Sequence, residues 1–314
     1  MGKHFHLHVG ADRLATVTFD SPDRKANVAQ LIEELGRRSD IGCAVLLSGK
    51  RGIFIAGADV GEIARVTDPA EAEEGSRFGH RVFSAWEALP FPTVAAIRGT
   101  CMGGGTELAL ASTWRVTSDR PEIRIGLPEI KLGIVPGWGG CTRLPRTIGL
   151  TGALDIILAG KALPPSRAFK AGLVDALLPD ASFLALVRDF ALARRDRRRT
   201  EMRKRGLMGW LLESNPLGRS VVFSQARKKV LAETKGHYPA PLRALEVIET
   251  GLSKGKAAGF EAEAREIGRL AVSPVSKSLV HLFQLMERNK KGGPAIDGEL
   301  PPVREVLVLG AGVM

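Results

Sequence analysis

Cysteine is scarce in this sequence. Cys43, Cys101 and Cys141 are the three present in 314 residues, scattered and set among apolar or glycine neighbours. An odd, dispersed set argues against a disulfide scaffold or a cysteine zinc site and points to buried free thiols. Long apolar runs are absent as well. No stretch reaches the ~18 residues expected of a membrane span, although 44% of the residues are apolar. The opening Met1-Gly2-Lys3-His4-Phe5-His6 lacks the apolar core of a signal peptide and the Ser or Thr at position 6 of a myristoylation signal. A cytoplasmic protein is the expectation. His4, His6 and His8 alternate along an expected first strand and so share a face, but no carboxylate or cysteine stands beside them, and no metal site is expected.

Acidic residues are outnumbered, 34 Asp and Glu against 45 Lys and Arg, for a net charge of +11. Nine of the basic residues fall between Arg188 and Arg205. That run reads as a solvated helix or linker face, or as a surface for an anionic partner, whether membrane phospholipid at the periphery or a subunit. Nucleic acid is the weakest reading, because aromatic side chains that would stack on bases do not interleave with the charges.

The informative stretch is Arg98 to Glu129. An apolar, β-leaning run, Thr93 to Ile97, reads as a strand feeding straight into Gly103-Gly104-Gly105, and a helix follows through Glu107 to Ala111. Glycines without Cβ let backbone N–H groups approach a ligand. The start of a helix adds unpaired N–H groups and a positive dipole end, suited to a developing oxyanion. A tight turn packing helix on strand would explain the glycines alone. Three companions argue for more. Phe54-Ile55-Ala56-Gly57-Ala58-Asp59 is a second strand ending in small residues, with Asp59 placed to cap the next helix and Glu62 three residues on. An exposed Ala58 N–H there would be a second donor, expected to face the first across a cleft. Leu127-Pro128-Glu129 sets another carboxylate before a glycine-rich loop, Gly133 to Gly140.

These motifs, F-I-A-G-A-D at 54–59, A-A-I-R-G-T-C-M-G-G-G-T-E-L-A-L at 95–110, L-P-E-I-K-L-G-I-V-P-G-W-G-G at 127–140 and A-G-L-V-D at 171–175, resemble the crotonase (enoyl-CoA hydratase/isomerase) superfamily. More narrowly, they resemble the hydratase part of multifunctional fatty-acid β-oxidation α subunits. The resemblance implies an α/β fold, a ββα spiral core over 1–190, followed by a mainly helical region over 191–288. It implies trans-2-enoyl-CoA hydration, with Δ3-to-Δ2 isomerisation as a possible second activity. Ala58 and Gly104 match the oxyanion-hole amides. Glu107 and Glu129 match the glutamates that grip the water, Glu129 serving Cα as acid and base and Glu107 activating the water. Ala56, Gly57, Asp59, Met102, Gly103, Leu132 and Trp138 fall at substrate-binding positions, and Arg24 and Lys25 near the CoA phosphates. Met102, Leu132, Ile134 and Trp138 read equally as acyl tunnel or ordinary core. The substrate is an acyl-CoA, hydration needs no cofactor, and the partner implied is a thiolase β subunit. The other class of reading is an acyl-CoA-holding or RNA-binding crotonase whose activity is incidental, drawn from the basic run.

The rest of the chain supplies expectations for the fold. Residues 4–20 read as a β-hairpin turning at Gly10 to Arg13. The first helix, Gln30 to Leu35, is short for the family. Residues 60–88 read as helical and acidic at the start, a lip near the acyl pocket or a plain surface helix. Thr117 to Glu122 reads as a surface turn. Ser166 is read as the cap of a short helix ending at Gly172, with a last core strand over Leu173 to Leu178. Leu242-Leu245-Ile248 and Leu279-Leu282-Phe283-Met286 have helical spacing. Residues 289–302 read as a linker. Residues 303–314 read as a strand entering Gly310-Ala311-Gly312, resembling the opening of a 3-hydroxyacyl-CoA dehydrogenase domain; truncation there would leave no NAD site.

Overall fold

The computed structural model describes residues 5–20, 28–57, 59–196, 215–290 and 305. Strands β1 (Phe5–Val9) and β2 (Leu14–Phe19) form the expected antiparallel hairpin. Strands β3 (Cys43–Ser48), β5 (Thr93–Ile97), β7 (Trp114–Ser118) and β10 (Ala176–Leu178) extend it in parallel, in the order β1-β2-β3-β5-β7-β10. A second sheet holds β4 (Ile53–Ile55), β6 (Thr100–Met102), β8 (Ile125–Gly126) and β9 (Ala162–Leu163) in that order.

The central strands of the large sheet are apolar on both faces, as parallel strands covered on two sides require. Alternate residues divide between two cores. Cys43, Val45, Val94, Ala96 and Val116 meet Phe183, Val187 and Ala191 of α8 (Phe183–Leu192). Ala44, Leu46, Ala95 and Ile97 face the main core.

The two sheets are filled by a repeating rule. Each pair β3/β4, β5/β6 and β7/β8 gives its first strand to the large sheet and its second to the small one, and a helical segment follows. After β4 come α2 (Val60–Arg65) and α3 (Pro69–Glu87); after β6 comes α4 (Gly104–Ala111). After β8 come a 3-10 turn (Glu129–Leu132) and then α5 (Gly140–Ile148). Because β4, β6 and β8 are parallel neighbours, their C-terminal ends lie side by side. The turns carrying Gly57, Gly103 and Glu129 therefore converge, although they are far apart in sequence.

Several expectations are corrected. The strand before the glycines does not run straight into them: Arg98-Gly99 carries the chain from the large sheet to the small one, and β6 intervenes. Residues 60–88 are two helices, because Asp68 caps a new start with Oδ1 accepting from Ala70 N at 2.9 Å and Pro69 opens the helix. Ser166 is not a cap. It lies in the first turn of α7 (Pro165–Ala171), whose N-cap is Pro164, and a proline at the first helical position gives up no bonded N–H. Gly172 does close that helix, at φ 79. Thr117 and Ser118 still belong to β7 and are buried, so the surface turn begins at Asp119.

Past α6 (Leu150–Ala159) and α8, the helical region comprises α9 (Pro216–Thr234), α10 (Pro239–Lys254), α11 (Lys256–Ala271) and α12 (Pro274–Lys290). Helices α10 and α11 approach through Gly251 and Gly259; a Cβ on Gly259 would stand 2.9 Å from the Gly251 Cα. Leu245 and Ile248 are buried as their spacing predicts, whereas Leu282, Phe283 and Met286 of α12 are exposed. Among the described residues no helix is long and apolar enough to cross a membrane. Cys43, Cys101 and Cys141 are buried free thiols, and burial pushes Cys43 and Cys101 up to about 12. No group of His, Cys, Asp and Glu among the described residues is arranged to hold a metal ion.

Candidate active site

At the meeting point of the three turns, Gly57 has φ 100, and a Cβ there would lie 3.1 Å from the Met102 carbonyl oxygen. Gly103 has φ 54 and ψ −125 and is the N-cap of α4, with its own N–H donated to the Gly126 carbonyl at 3.0 Å. Thr106 Oγ1 donates to the carbonyls of Cys101 (2.9 Å) and Gly126 (2.8 Å), tying the first turn of α4 to the small sheet. The Gly104 N–H, first in the helix, has no acceptor within it. The six-membered ring of Trp138 covers Gly104, where a Cβ would stand 2.7 Å from Trp138 Cε3.

Glu107 is 2% exposed. Its Oε1 accepts from the N–H groups of Trp138 and Gly140, both at 2.7 Å. Glu129 projects from the 3-10 turn, and its Oε1 lies against Gly103, 2.8 Å from where a Cβ would be. Although Glu129 as a residue is only half-buried, its Oε2 is sealed from solvent and has no hydrogen-bond partner among the described residues. Burial dominates the electrostatics. It holds Glu107 well above the usual carboxylate range, helped by the charges of Glu129 and Glu263 and opposed by the two N–H bonds. It raises Glu129 from 4.5 to about 8, with its own backbone N–H opposing and Glu263 adding.

A stability effect follows from the Glu129 shift. The native state keeps a proton that the unfolded chain gives up, so this site favours folding below about pH 4.5 and loses that contribution as pH rises through about 8. Denaturant titrations should show Glu129→Gln gaining on the wild type between pH 5 and pH 8, by about 1 kcal/mol or more. A difference that does not change with pH would refute the raised carboxyl.

The sequence-derived residues fall into groups. Gly57, Met102, Gly103, Gly104, Glu107, Glu129 and Trp138 are brought together, with Ala56 and Asp59 in the adjoining turn. Asp59 caps α2, its Oδ1 accepting from Gly61 N at 2.8 Å. Leu132 is partly buried against the core and Ile134 is buried in it. Ala58, Arg24 and Lys25 lie outside the described residues, as does Arg188 to Arg205 beyond residue 196. Within that run, Arg188 pairs with Asp12, Arg195 Nη1 donates to the Asp12 carbonyl at 2.7 Å, and Arg194 lies over the rings of Phe190 and Trp114. These arginines engage the protein's own surface.

The sequence reading missed what the C-terminal helices contribute. Glu263 of α11 is fully buried. Its Oε2 accepts from Gly139 N (2.6 Å) and faces His80 Nε2 (2.9 Å), while its Oε1 accepts from Thr142 N (2.7 Å). Ser276 Oγ donates to the Leu132 carbonyl at 2.8 Å and the Tyr238 hydroxyl donates to that of Ile130, so α12 and the start of α10 hold the turn that carries Glu129. Lys277 Nζ donates to the carbonyls of Ile63 (3.0 Å), Ala64 (2.9 Å) and Val66, capping the end of α2. In sequence these residues lie in the stretch read only as mainly helical.

Two parallel-sheet turns meeting at a glycine-started helix, with two carboxylates against them that burial raises above the usual range, fit the family whose model matches residues 11–204. The chain belongs to the enoyl-CoA hydratase/isomerase family. It is 42% identical to the fatty acid oxidation complex subunit alpha of Aliivibrio fischeri, over 96% of this chain and 45% of that protein. The subunit of the same name from Shewanella amazonensis is 40% identical over 100% of this chain and 46% of that one. The chain thus spans about half the length of the curated relatives it matches. Among solved structures, human mitochondrial Δ3-Δ2-enoyl-CoA isomerase shares the fold, with a TM-score of 0.64 and 19% identity over 92% of this chain and 100% of that one.

Proposed function

We propose that this chain is a trans-2-enoyl-CoA hydratase of fatty-acid β-oxidation, adding water across the Cα=Cβ bond to give the 3-hydroxyacyl thioester. The observation that carries this reading is Glu129 set against the Gly57–Gly103 turns, with a carboxylate oxygen that has no partner among the described residues, close to the buried Glu107 at the start of α4. In this scheme the thioester oxygen is polarised by the N–H of Gly104 and, by resemblance, of Ala58. Glu107, oriented by the Trp138 and Gly140 N–H groups, takes a proton from water as its oxygen bonds to Cβ. Glu129, whose raised pKa keeps it protonated near neutrality, delivers a proton to Cα. The proton that Glu107 gains passes back to Glu129 before the next turnover, which restores both groups, and the two titrate as a pair. The same Glu129 oxygen, moving a proton between carbons, is suited to Δ3-to-Δ2 isomerisation as a second activity.

Hydration as proposed uses no cofactor, and the acyl-CoA is the substrate. The named relatives are subunits of a complex, and by extension we propose a thiolase β subunit as partner in a cytoplasmic assembly. The remaining division of the chain, a catalytic core to residue 190, a helical extension to 288, then a linker and the start of a dinucleotide-binding domain at 303, belongs to the same proposal. Beyond residue 290 both of the last two lie outside the described residues, except for residue 305. Loss of the enoyl absorbance on mixing with crotonyl-CoA and with hexadecenoyl-CoA tests the activity and ranks the chain lengths accepted. An enzyme of this kind should turn over at least one of them with kcat on the order of 1 to 10³ s⁻¹. No hydration of either overturns the proposal.

A further inference from the structure

Four amides in one short loop are shared between two carboxylates in an ordered way. The N–H groups of Trp138 and Gly140 point to Glu107 Oε1, while those of Gly139 and Thr142 point to Glu263. Successive peptides therefore face opposite sides. Gly139 makes this possible with φ 111, a left-handed conformation that glycine adopts without a Cβ penalty. Glu263 comes from α11, 121 residues downstream of Thr142, whose N–H it accepts. It is anchored in turn by His80 of α3, whose ring stacks on Phe260 at 4.6 Å between centroids.

A fully buried carboxylate is expensive unless its oxygens are bonded. Glu263 meets that requirement with two main-chain N–H groups and one imidazole nitrogen. It takes no place among the turns where substrate is proposed to react. If it only filled space, an apolar side chain would serve. What a carboxylate adds is a fixed direction for the Gly139 peptide, and with Gly139 fixed the flanking N–H groups can reach Glu107 from only one side.

We propose that Glu263 is a positioning residue for hydration: by gripping the Gly139 and Thr142 amides it presents the Trp138 and Gly140 amides to Glu107 and so orients the water-activating carboxylate. This rests on the hydratase reading given above. The helical extension thereby supplies part of the active-site geometry without touching substrate.

The test is a double-mutant cycle in the whole chain, with crotonyl-CoA as substrate. Glu263→Gln keeps the size of the side chain but offers one acceptor and one donor where two acceptors are needed. Its kcat should fall roughly 10- to 100-fold, and the loss should vanish in a Glu107→Gln background, because Glu263 acts through Glu107. KM should stay within about threefold, since no substrate contact is removed. Amide hydrogen exchange over residues 137–142 gives a reading independent of turnover: Trp138 and Gly140 should lose protection about tenfold or more in Glu263→Gln. An unchanged kcat with unchanged exchange overturns the proposal, as does a loss that multiplies fully with Glu107→Gln. Should Glu263→Gln fail to fold, His80→Gln replaces it in the cycle, with a smaller kcat loss of about threefold or more expected and the same disappearance in the Glu107→Gln background; no loss overturns the proposal. A wild type that does not hydrate crotonyl-CoA refutes the hydratase reading, while the exchange measurement still decides whether Glu263 orders the loop.

Discussion

Glu107→Gln and Glu129→Gln are each expected to lower kcat for crotonyl-CoA hydration by about 10² to 10⁴ while leaving the fold intact. Glutamine is isosteric, so at position 107 its carbonyl oxygen can still accept from Trp138 and Gly140. What it loses is the ability to take a proton from water. At position 129 the oxygen without a partner becomes part of an amide, and no proton is available for Cα. Because the loss is confined to the transition state, KM should change far less than kcat. Steady-state kinetics at several pH values checks both points. Near-wild-type turnover in both variants would remove the glutamate pair from the mechanism.

Gly103→Ala is the second large effect. The backbone there has φ 54 and ψ −125, a region in which a side chain is strained by about 1 to 3 kcal/mol. The new Cβ would also stand 2.8 Å from Glu129 Oε1 and 3.7 Å from the Gly57 Cα. Relief of that crowding moves the Glu129 carboxylate, and relief of the strained φ moves the start of α4 and with it the Gly104 N–H. Losing one oxyanion donor typically costs about 10² to 10³ in kcat, and displacement of Glu129 adds to it. The expected result is a fall in kcat/KM of at least ~10². Gly75→Ala is the matched control: it is an exposed position in α3 with open space around it, and alanine there should leave turnover unchanged. If Gly103→Ala retains activity, the turn is a packing device and nothing more.

The α/β class and the places of the glycine turns were legible for a local reason, whereas the spiral core and the pairing of Glu107 with Glu129 were legible only through the resemblance. Glycine turns, capping residues and short β-branched runs are properties of adjacent residues, and so Gly103 to Glu107 and Asp59 to Glu62 announce their conformations in sequence. Sheet membership is not local. Nothing in Thr93 to Met102 says that Arg98-Gly99 switches sheets, because the switch depends on which strands flank each half. Nor does anything in Lys256-Ala-Ala-Gly-Phe-Glu-Ala-Glu263 distinguish the exposed Glu261, paired with Arg77, from the buried Glu263. The two sit two positions apart on a helix, and only the packing of α11 on α3 sends one to solvent and the other inward. The exposed stripe of Leu282, Phe283 and Met286 is the converse case, where helical periodicity was right and burial was not.

The small sheet, the glycine turns and both glutamates all lie within residues 11–204, the span matched by the family model. Yet the loop gripping Glu107, the turn bearing Glu129 and the end of α2 are each fastened by side chains drawn from residues 238 to 277. The boundary of the family model is thus not the boundary of the candidate site. A designer transplanting this chemistry onto another scaffold would need to carry over the fastenings as well as the reactive groups, and they come from the part of the chain that looks most like ordinary helical padding.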